Sequence, residues 1–431
     1  MRRPLLVALA AAMAAVLHAQ ATPADTLTLA QAEAIALKNH PRVAAALNEA
    51  AAAGQRVTEA KSAYYPTVNG EITASQALDN SRLGAGFLTT SLLFDRFGTG
   101  LEFNQLVTDL GRTKNLVANS KLQAQAADQN TQATRYDVLF GVNRAYFGVL
   151  QAEALVKVAD ETIRARQTLA DQVTALAKAQ LKSQLDVSFA EVNVSQARVL
   201  LIRAQDGVQR AYANLTRALG EDKPANYQLS ENDLPPKPPP DAETLMAEAI
   251  QNRPELREVR LQQQAAQRFE TAERDLSRPT VSFLGVGGAL PYLDQSPRVA
   301  PDEYEAVGVN VDIPIFNGHL FSARRQAAHY ESLAVDQRMR ALQQMVERDV
   351  RATWASASTA WQRIPVTEEM VKESQLALDL AQGRYRLGLA SIVEVTQAQL
   401  NLTQAQIENV TARYDYHSAF AELQYTTGAL R

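Results

Sequence analysis

Proline is absent between Pro66 and Pro224, and again from Pro365 to the C-terminus. This spacing limits the fold more than any other feature, because a proline inside a helix costs about 3 kcal/mol. Only these gaps admit long helices. From about Arg112 to Gln180 the residues are mostly Ala, Gln, Leu, Val and Arg, with Gly141 and Gly148 as weak points. At ~1.5 Å per residue such a helix would be ~100 Å long, far beyond the usual globular helix. A shorter partner is expected from about Asp186 to Leu219, ending at Gly220 as a helix C-cap would. The second gap predicts the same plan: about Ala323 to Leu387, broken at Pro365, then Glu394 to Thr427 and Gly428.

The plan is repeated because the chain is duplicated. "NHPRVAAA" at Asn39 returns as "NRPELREV" at Asn252, 213 residues on. Each proline is followed 25 residues later by the same triplet, Pro66-Thr67-Val68 and Pro279-Thr280-Val281. Further along, "LKSQLDVSFAEVNVSQA" from Leu181 lines up with "LASIVEVTQAQLNLTQA" from Leu389 at an offset of 208. Two repeats are therefore expected, residues 22–220 and 242–431. They are joined by a linker, 221–241, whose five prolines between Pro235 and Pro240 favour an extended path across the outside of the helices.

After Met1 come two arginines, Arg2 and Arg3, an apolar run from Leu5 to Leu17 and the small-x-small site Ala19-Gln20-Ala21. This reads as a secretory signal peptide, residues 1–21; the run is shorter than the ~20 apolar residues of a membrane anchor. Its removal would take the formal charge of −4 to −6, with no basic block, so nucleic acid is not an expected partner. The sequence contains no cysteine, which excludes disulfides, thiolate metal sites and a lipid-bearing N-terminal cysteine.

"KLQAQAADQNTQATRYDVL" has many small residues and no broad apolar stripe. Such helices suit close packing on two sides and water on others; a soluble coiled-coil rod is the plainer reading. Against a plain rod stands "YEAVGVNVDIPIF", where Val307, Val309, Val311 and Ile313 alternate with Ala306, Gly308, Asn310 and Asp312. "TVSFLGVGG", "TVNGEITASQAL" and "GTGLEFNQLV" supply three further strands. By themselves these fit either a small periplasmic sheet or membrane-barrel strands with one apolar face. Export, with a long helix at each strand end, favours the barrel. Four strands cannot close alone, so a barrel would need several chains.

Together these features resemble the TolC-like outer-membrane efflux channel family. "LTLAQAEAIALKNHPRV", the paired Pro-Thr-Val strand entries, "VDIPIFNGH" and "YRLGLASIVEVTQAQLNLTQAQ" carry the resemblance over essentially the whole mature chain. It implies a mainly α protein with a membrane β-barrel: a homotrimer whose twelve strands, four per chain, continue into a long α-helical coiled-coil tunnel in the periplasm. It also implies an outer-membrane, lipid-embedded duct for small molecules such as drugs, supplied by an inner-membrane pump through a periplasmic adaptor. The same architecture serves secreted polypeptides. A periplasmic coiled-coil scaffold without a pore is the reading from another class.

In the family, the segments matched at offset 208 are helix-to-helix turns at the periplasmic tip, where the tunnel closes and adaptor hairpins dock. Lys182, Ser183, Leu387, Gly388, Leu389 and Ser391 are the expected docking tip. The family's acidic ring falls on Asp186 and Glu394, and its gate tyrosine on Tyr385, bracing the closed form through a hydrogen bond. Charges that favour a helix N-terminus are the alternative role of the two acids. The family's tip arginine is replaced by Ala390, with Lys182 or Arg386 as possible substitutes. Gly388 suits a left-handed turn, whereas the first copy has Gln180 there, so the two turns need not dock identically.

Other sites find little support. Five scattered histidines offer no metal-ligand spacing. "GVGG" at Gly285 lies in a strand pattern and opens no helix. Trp354 and Trp361 share a helix face and are expected in the core. No catalytic grouping or cofactor motif emerges, so a duct and not an enzyme is expected.

Overall fold

The structure, a computed structural model, describes residues 26–430 apart from 77–81, 86–87, 93–94, 224–226, 232, 239–240 and 295–301. Between 77 and 94 the backbone alone is described. The expected signal peptide, residues 1–21, lies outside the described residues. Two compact units form, and each draws on both halves of the sequence: Ala45–Ala133 with Pro254–Met345, and Thr134–Arg253 with Val346–Arg431 and the residues up to Ala44.

In the Ala45–Ala133 and Pro254–Met345 unit, the Pro-Thr-Val triplets open strands as expected. β2 (Thr67–Ser75), β5 (Arg96–Thr108), β7 (Thr280–Leu293) and β8 (Glu303–Asp312) form one antiparallel sheet in the order β2-β5-β7-β8. The halves are joined in the middle, by β5 against β7, leaving β2 and β8 as edges. A small hairpin, β3 (Arg82–Ala85) and β4 (Leu88–Leu92), was not evident in the sequence.

Residues paired across strands share a face, so the register sorts the side chains. One face carries Val68, Ile72, Leu101, Phe103, Phe283, Val307, Val309 and Val311, with Gln105 and Glu305 among them; the other carries Asn69, Glu71, Glu102, Asn104, Asn310 and Asp312, with Leu284 and Val286 among them. The apolar face is uncovered: Ile72 is 74% exposed and Val307 79%. A water-facing sheet would bury these residues, so in this chain the polar face is the one suited to water.

Both strand-to-helix turns use two consecutive left-handed residues. Leu110 and Gly111 (φ 54° and 108°) precede α3 (Arg112–Lys178), and Gly318 and His319 (φ 62° and 68°) precede α7 (Leu320–Arg386). The capping residue is matched too. The Asp109 carboxylate accepts from the Gly111 and Thr113 amides, at 3.1 and 2.6 Å, and the Asn317 side-chain oxygen accepts from the Phe321 amide at 3.4 Å. These pairs are again 208 residues apart.

The Asn-x-Pro repeats explain themselves. A residue before proline is driven into extended backbone. His40 (ψ 123°) thus ends α1 (Leu29–Asn39), and Pro41 starts α2 (Pro41–Ser62); Arg253 (ψ 124°) ends α5 (Ala242–Asn252), and Pro254 starts α6 (Pro254–Arg274). A short 3-10 turn, Asp275–Ser277, follows α6. Against these joints press the predicted C-cap glycines of α4 (Gln184–Leu219) and α8 (Ile392–Thr427). Gly220 and Gly428 are left-handed (φ 71° and 70°). A methyl on Gly220 would lie 2.6 Å from His40 Cα, and one on Gly428 3.1 Å from the Asn252 carbonyl carbon.

One expectation needs correction. Helix α7 is not broken at Pro365; it runs unbroken from Leu320 to Arg386. Ile364 and Ala360 are packed against Tyr416 of α8, and the Thr367 hydroxyl donates to the Arg363 and Ile364 carbonyls. Packing along the helix offsets the proline's cost. The linker makes contacts that the sequence does not indicate. Its β6 (Gln228–Leu229) pairs in parallel with β1 (Thr26–Leu27), and three tyrosines pin its backbone. The Tyr212 hydroxyl lies 2.8 Å from the Tyr227 carbonyl, Tyr146 lies 2.7 Å from that of Ser230 and 2.9 Å from that of Leu27, and Tyr416 donates to Pro236.

Candidate functional site

The turns at 179–183 and 387–391 join α3 to α4 and α7 to α8, and their backbones match bond for bond. Gln180 donates to Ala177 and Leu181 to Leu176, at 2.9 Å each; Gly388 donates to Tyr385 at 3.1 Å and Leu389 to Arg384 at 2.8 Å. This is the Schellman closure, which needs a left-handed residue at its centre. Gly388 supplies it at φ 75° and Gln180 at φ 63°. The glutamine therefore takes the glycine's conformation at a cost of ~1 kcal/mol, and the two turns differ in side chain but not in path.

Ser183 and Ser391 cap the helices that follow. The Asp186 carboxylate accepts from the Ser183 amide (3.1 Å) and hydroxyl (2.9 Å), while the Asp186 amide donates to the Ser183 oxygen at 3.2 Å, a complete capping box. At the second turn the Glu394 amide donates to Ser391 at 3.4 Å, and the Glu394 carboxylate instead meets Arg384 at 3.2 Å. Both acids thus stand at helix starts, each with a partner in its own chain. Arg384 was not anticipated; neither Arg386 nor Lys182 pairs with Glu394. The pairing depends on the turn folding Arg384 back over residues 389–394, where its guanidinium also donates to the Leu389 carbonyl at 3.3 Å.

The turns are held together by an apolar cluster. Val173 of α3, Val187, Ala190 and Val194 of α4, Leu378, Ala381 and Tyr385 of α7, and Ile392, Val395 and Leu402 of α8 are buried in it, with Ala390 packed alongside. Tyr385 is 3% exposed. Its hydroxyl makes no hydrogen bond within the chain. Instead Lys182 places its ammonium 4.0 Å from the ring centroid, a cation–π contact between the turns. Burial, then the Asp186 carboxylate, raises the phenol's pKa. By contrast Leu181, Leu387 and Leu389 are exposed at the turn surface.

Long helical hairpins meeting at matched turns, together with a four-stranded sheet whose uncovered face is apolar, define a TolC-like channel protein. The chain belongs to the outer membrane efflux protein family, whose model matches residues 34–221 and 245–429. It is 24% identical to the outer membrane efflux protein BepC of Brucella suis biovar 1 (strain 1330), over 96% of this chain and 88% of that one. It is 21% identical to the outer membrane protein TolC of Salmonella enteritidis, over 94% and 83%. The fold matches the outer membrane protein VceC of Vibrio cholerae with a TM-score of 0.80 at 17% identity, covering 93% of this chain and 96% of that one. No helix among the described residues is long and apolar enough to cross a membrane.

Proposed function

We propose that three copies close one 12-stranded barrel in the outer membrane, with the two repeats of each chain forming a third of the wall. The observation that carries this reading is the sheet, with four strands, two open edges and an uncovered apolar face. An unpaired edge in lipid costs several kcal/mol per backbone group. Membrane barrels start at about eight strands, and three copies supply twelve. The paired helices continue as a tunnel into the periplasm, and the two turns form its far end.

On this reading the protein is a passive exit duct for small toxic molecules, fed by an inner-membrane pump through a periplasmic adaptor. Its family's efflux function supports that role. The exposed Leu181, Leu387 and Leu389, beside Lys182, Ser183, Gly388 and Ser391, offer an apolar rim that an adaptor's helical hairpin would cover. Asp186 and Glu394 would then ring the constriction. The mass of the detergent-solubilised complex tests assembly: a trimer is expected, and a stable monomer overturns the barrel. Gly388→Val tests docking. A Cβ at Gly388 meets nothing within 4 Å, and the residue is left-handed at φ 75°, so the substitution strains the backbone of the turn. Export should fall while the trimer survives in the membrane; wild-type export would remove this turn from the docking surface.

A further inference from the structure

Two helical turns beyond Asp186 on α4, and within two turns of Glu394 on α8, the apolar cluster is interrupted by a polar layer. Asn193 of α4, 5% exposed, donates through its side-chain amide to the Thr396 hydroxyl of α8 at 2.9 Å. This bond links the first hairpin to the second. Beneath it Arg166 of α3, also 5% exposed, donates to the Asn193 carbonyl at 3.0 Å, while its Nε has no acceptor. No carboxylate among the described residues pairs with this guanidinium. One turn beyond Thr396, Gln399 is 4% exposed, with neither its amide nitrogen nor its oxygen bonded.

Such a layer is a poor way to make two hairpins adhere. Apolar residues of similar volume would pack there without unmet polar groups. Its consequence is a difference between two states. While the hairpins are together, three polar atoms have no hydrogen-bond partner within the chain; once they part, water satisfies all three, and the separation regains part of what the apolar contacts lose. Water also has a nearby source. An open groove of about 840 Å³ between α4 and α8 is lined by Arg166, Glu191, Ser195, Thr403 and Gln404.

We propose that Arg166, Asn193, Thr396 and Gln399 form a hydration-sensitive seam between the hairpins, an interlock separate from the turns that sets how readily the closed end parts. The inference rests on the reading that the turns close a channel. Asn193–Thr396 is the bond that breaks on opening, and Gln399 and Arg166 are the groups that gain partners. None of the four touches cargo; they act through the spacing of α4 and α8.

Planar-bilayer conductance and thermal unfolding of the purified full chain test this together. Asn193→Ala removes the cross-hairpin bond and should raise conductance severalfold. Gln399→Leu removes two unmet polar atoms. It should raise the melting temperature and lower open probability about tenfold, the effect of ~1.4 kcal/mol on a two-state equilibrium. Opposite changes in conductance at neighbouring positions are not produced by a merely structural layer. Wild-type conductance in both variants overturns the seam. Because the chain has no cysteine, Asn193→Cys with Thr396→Cys allows a short reducible cross-linker to bridge this pair alone. Conductance should drop on cross-linking and return on reduction; unchanged conductance after verified cross-linking also overturns it. A wild-type protein that forms no channel overturns the channel reading itself, and the seam with it.

Discussion

The Lys182 ammonium lies 4.0 Å from the centre of the Tyr385 ring, tying the first helix turn to the second hairpin. The contact is worth ~0.5–1 kcal/mol, whereas the ring itself fills the apolar cluster. Tyr385→Ala should therefore destabilise by ~3–5 kcal/mol. Tyr385→Phe should keep wild-type stability or exceed it, since it deletes a buried hydroxyl that has no partner. Unfolding of Lys182→Ala, Tyr385→Ala and the double variant checks the pair; strict additivity would deny the coupling.

Charge and capping can be separated at the two acids. Asp186→Asn with Glu394→Gln keeps hydrogen-bonding side chains at both helix starts and removes up to six carboxylates from a trimer. Cation preference should weaken in planar-bilayer recordings, as in other side-chain selectivity rings. Wild-type selectivity in this variant would leave the acids as helix caps only.

The C-cap glycines should tolerate a methyl unequally. Both are left-handed, so alanine costs each ~1 kcal/mol. At Gly220 the new carbon would also meet the His40 backbone at 2.6 and 2.9 Å, while at Gly428 the nearest atoms are at 3.1 to 3.3 Å. Gly220→Ala should lower the melting temperature clearly more than Gly428→Ala, measured side by side.

His417 gives the fold a defined acid sensitivity. It stacks on Phe147 (4.5 Å between centroids) and Tyr414 (5.9 Å). Burial and then Arg413 push its pKa down to about 4, with Glu231 acting in the opposite direction. An unfolded histidine titrates near ~6.5, so between these values the unfolded chain binds a proton that the folded one refuses. Stability from this group is complete above pH ~6.5 and falls as pH drops towards ~4. His417→Gln should flatten the decline in melting temperature between pH ~6.5 and ~5. An identical slope would mean that other groups govern it.

The sequence alone determined the elements whose causes are local. Pro41 and Pro254 restart helices because the residue before each must be extended, and Gly220 and Gly428 end them because a left-handed cap is needed. Ser183 and Asp186 sit three apart, the spacing of a capping box, and alternation in 306–313 sorted a strand into two faces. Each of these follows from a few neighbouring residues, and duplication made the prolines and the cap glycines visible twice.

Tertiary structure decided whatever depends on residues far apart in the chain. It carried α7 through Pro365, since packing against Tyr416 of α8 outweighs the local penalty. It set the Lys182 ammonium over the Tyr385 ring and paired Glu394 with Arg384. The linker's prolines foretold an extended path, but not the tyrosines of three helices that hold it. Arg166, Asn193, Thr396 and Gln399 looked like ordinary polar positions on long helices. Only the approach of α4 to α8 buried them, because burial is set by the neighbouring helix and leaves no trace in the spacing of a single one.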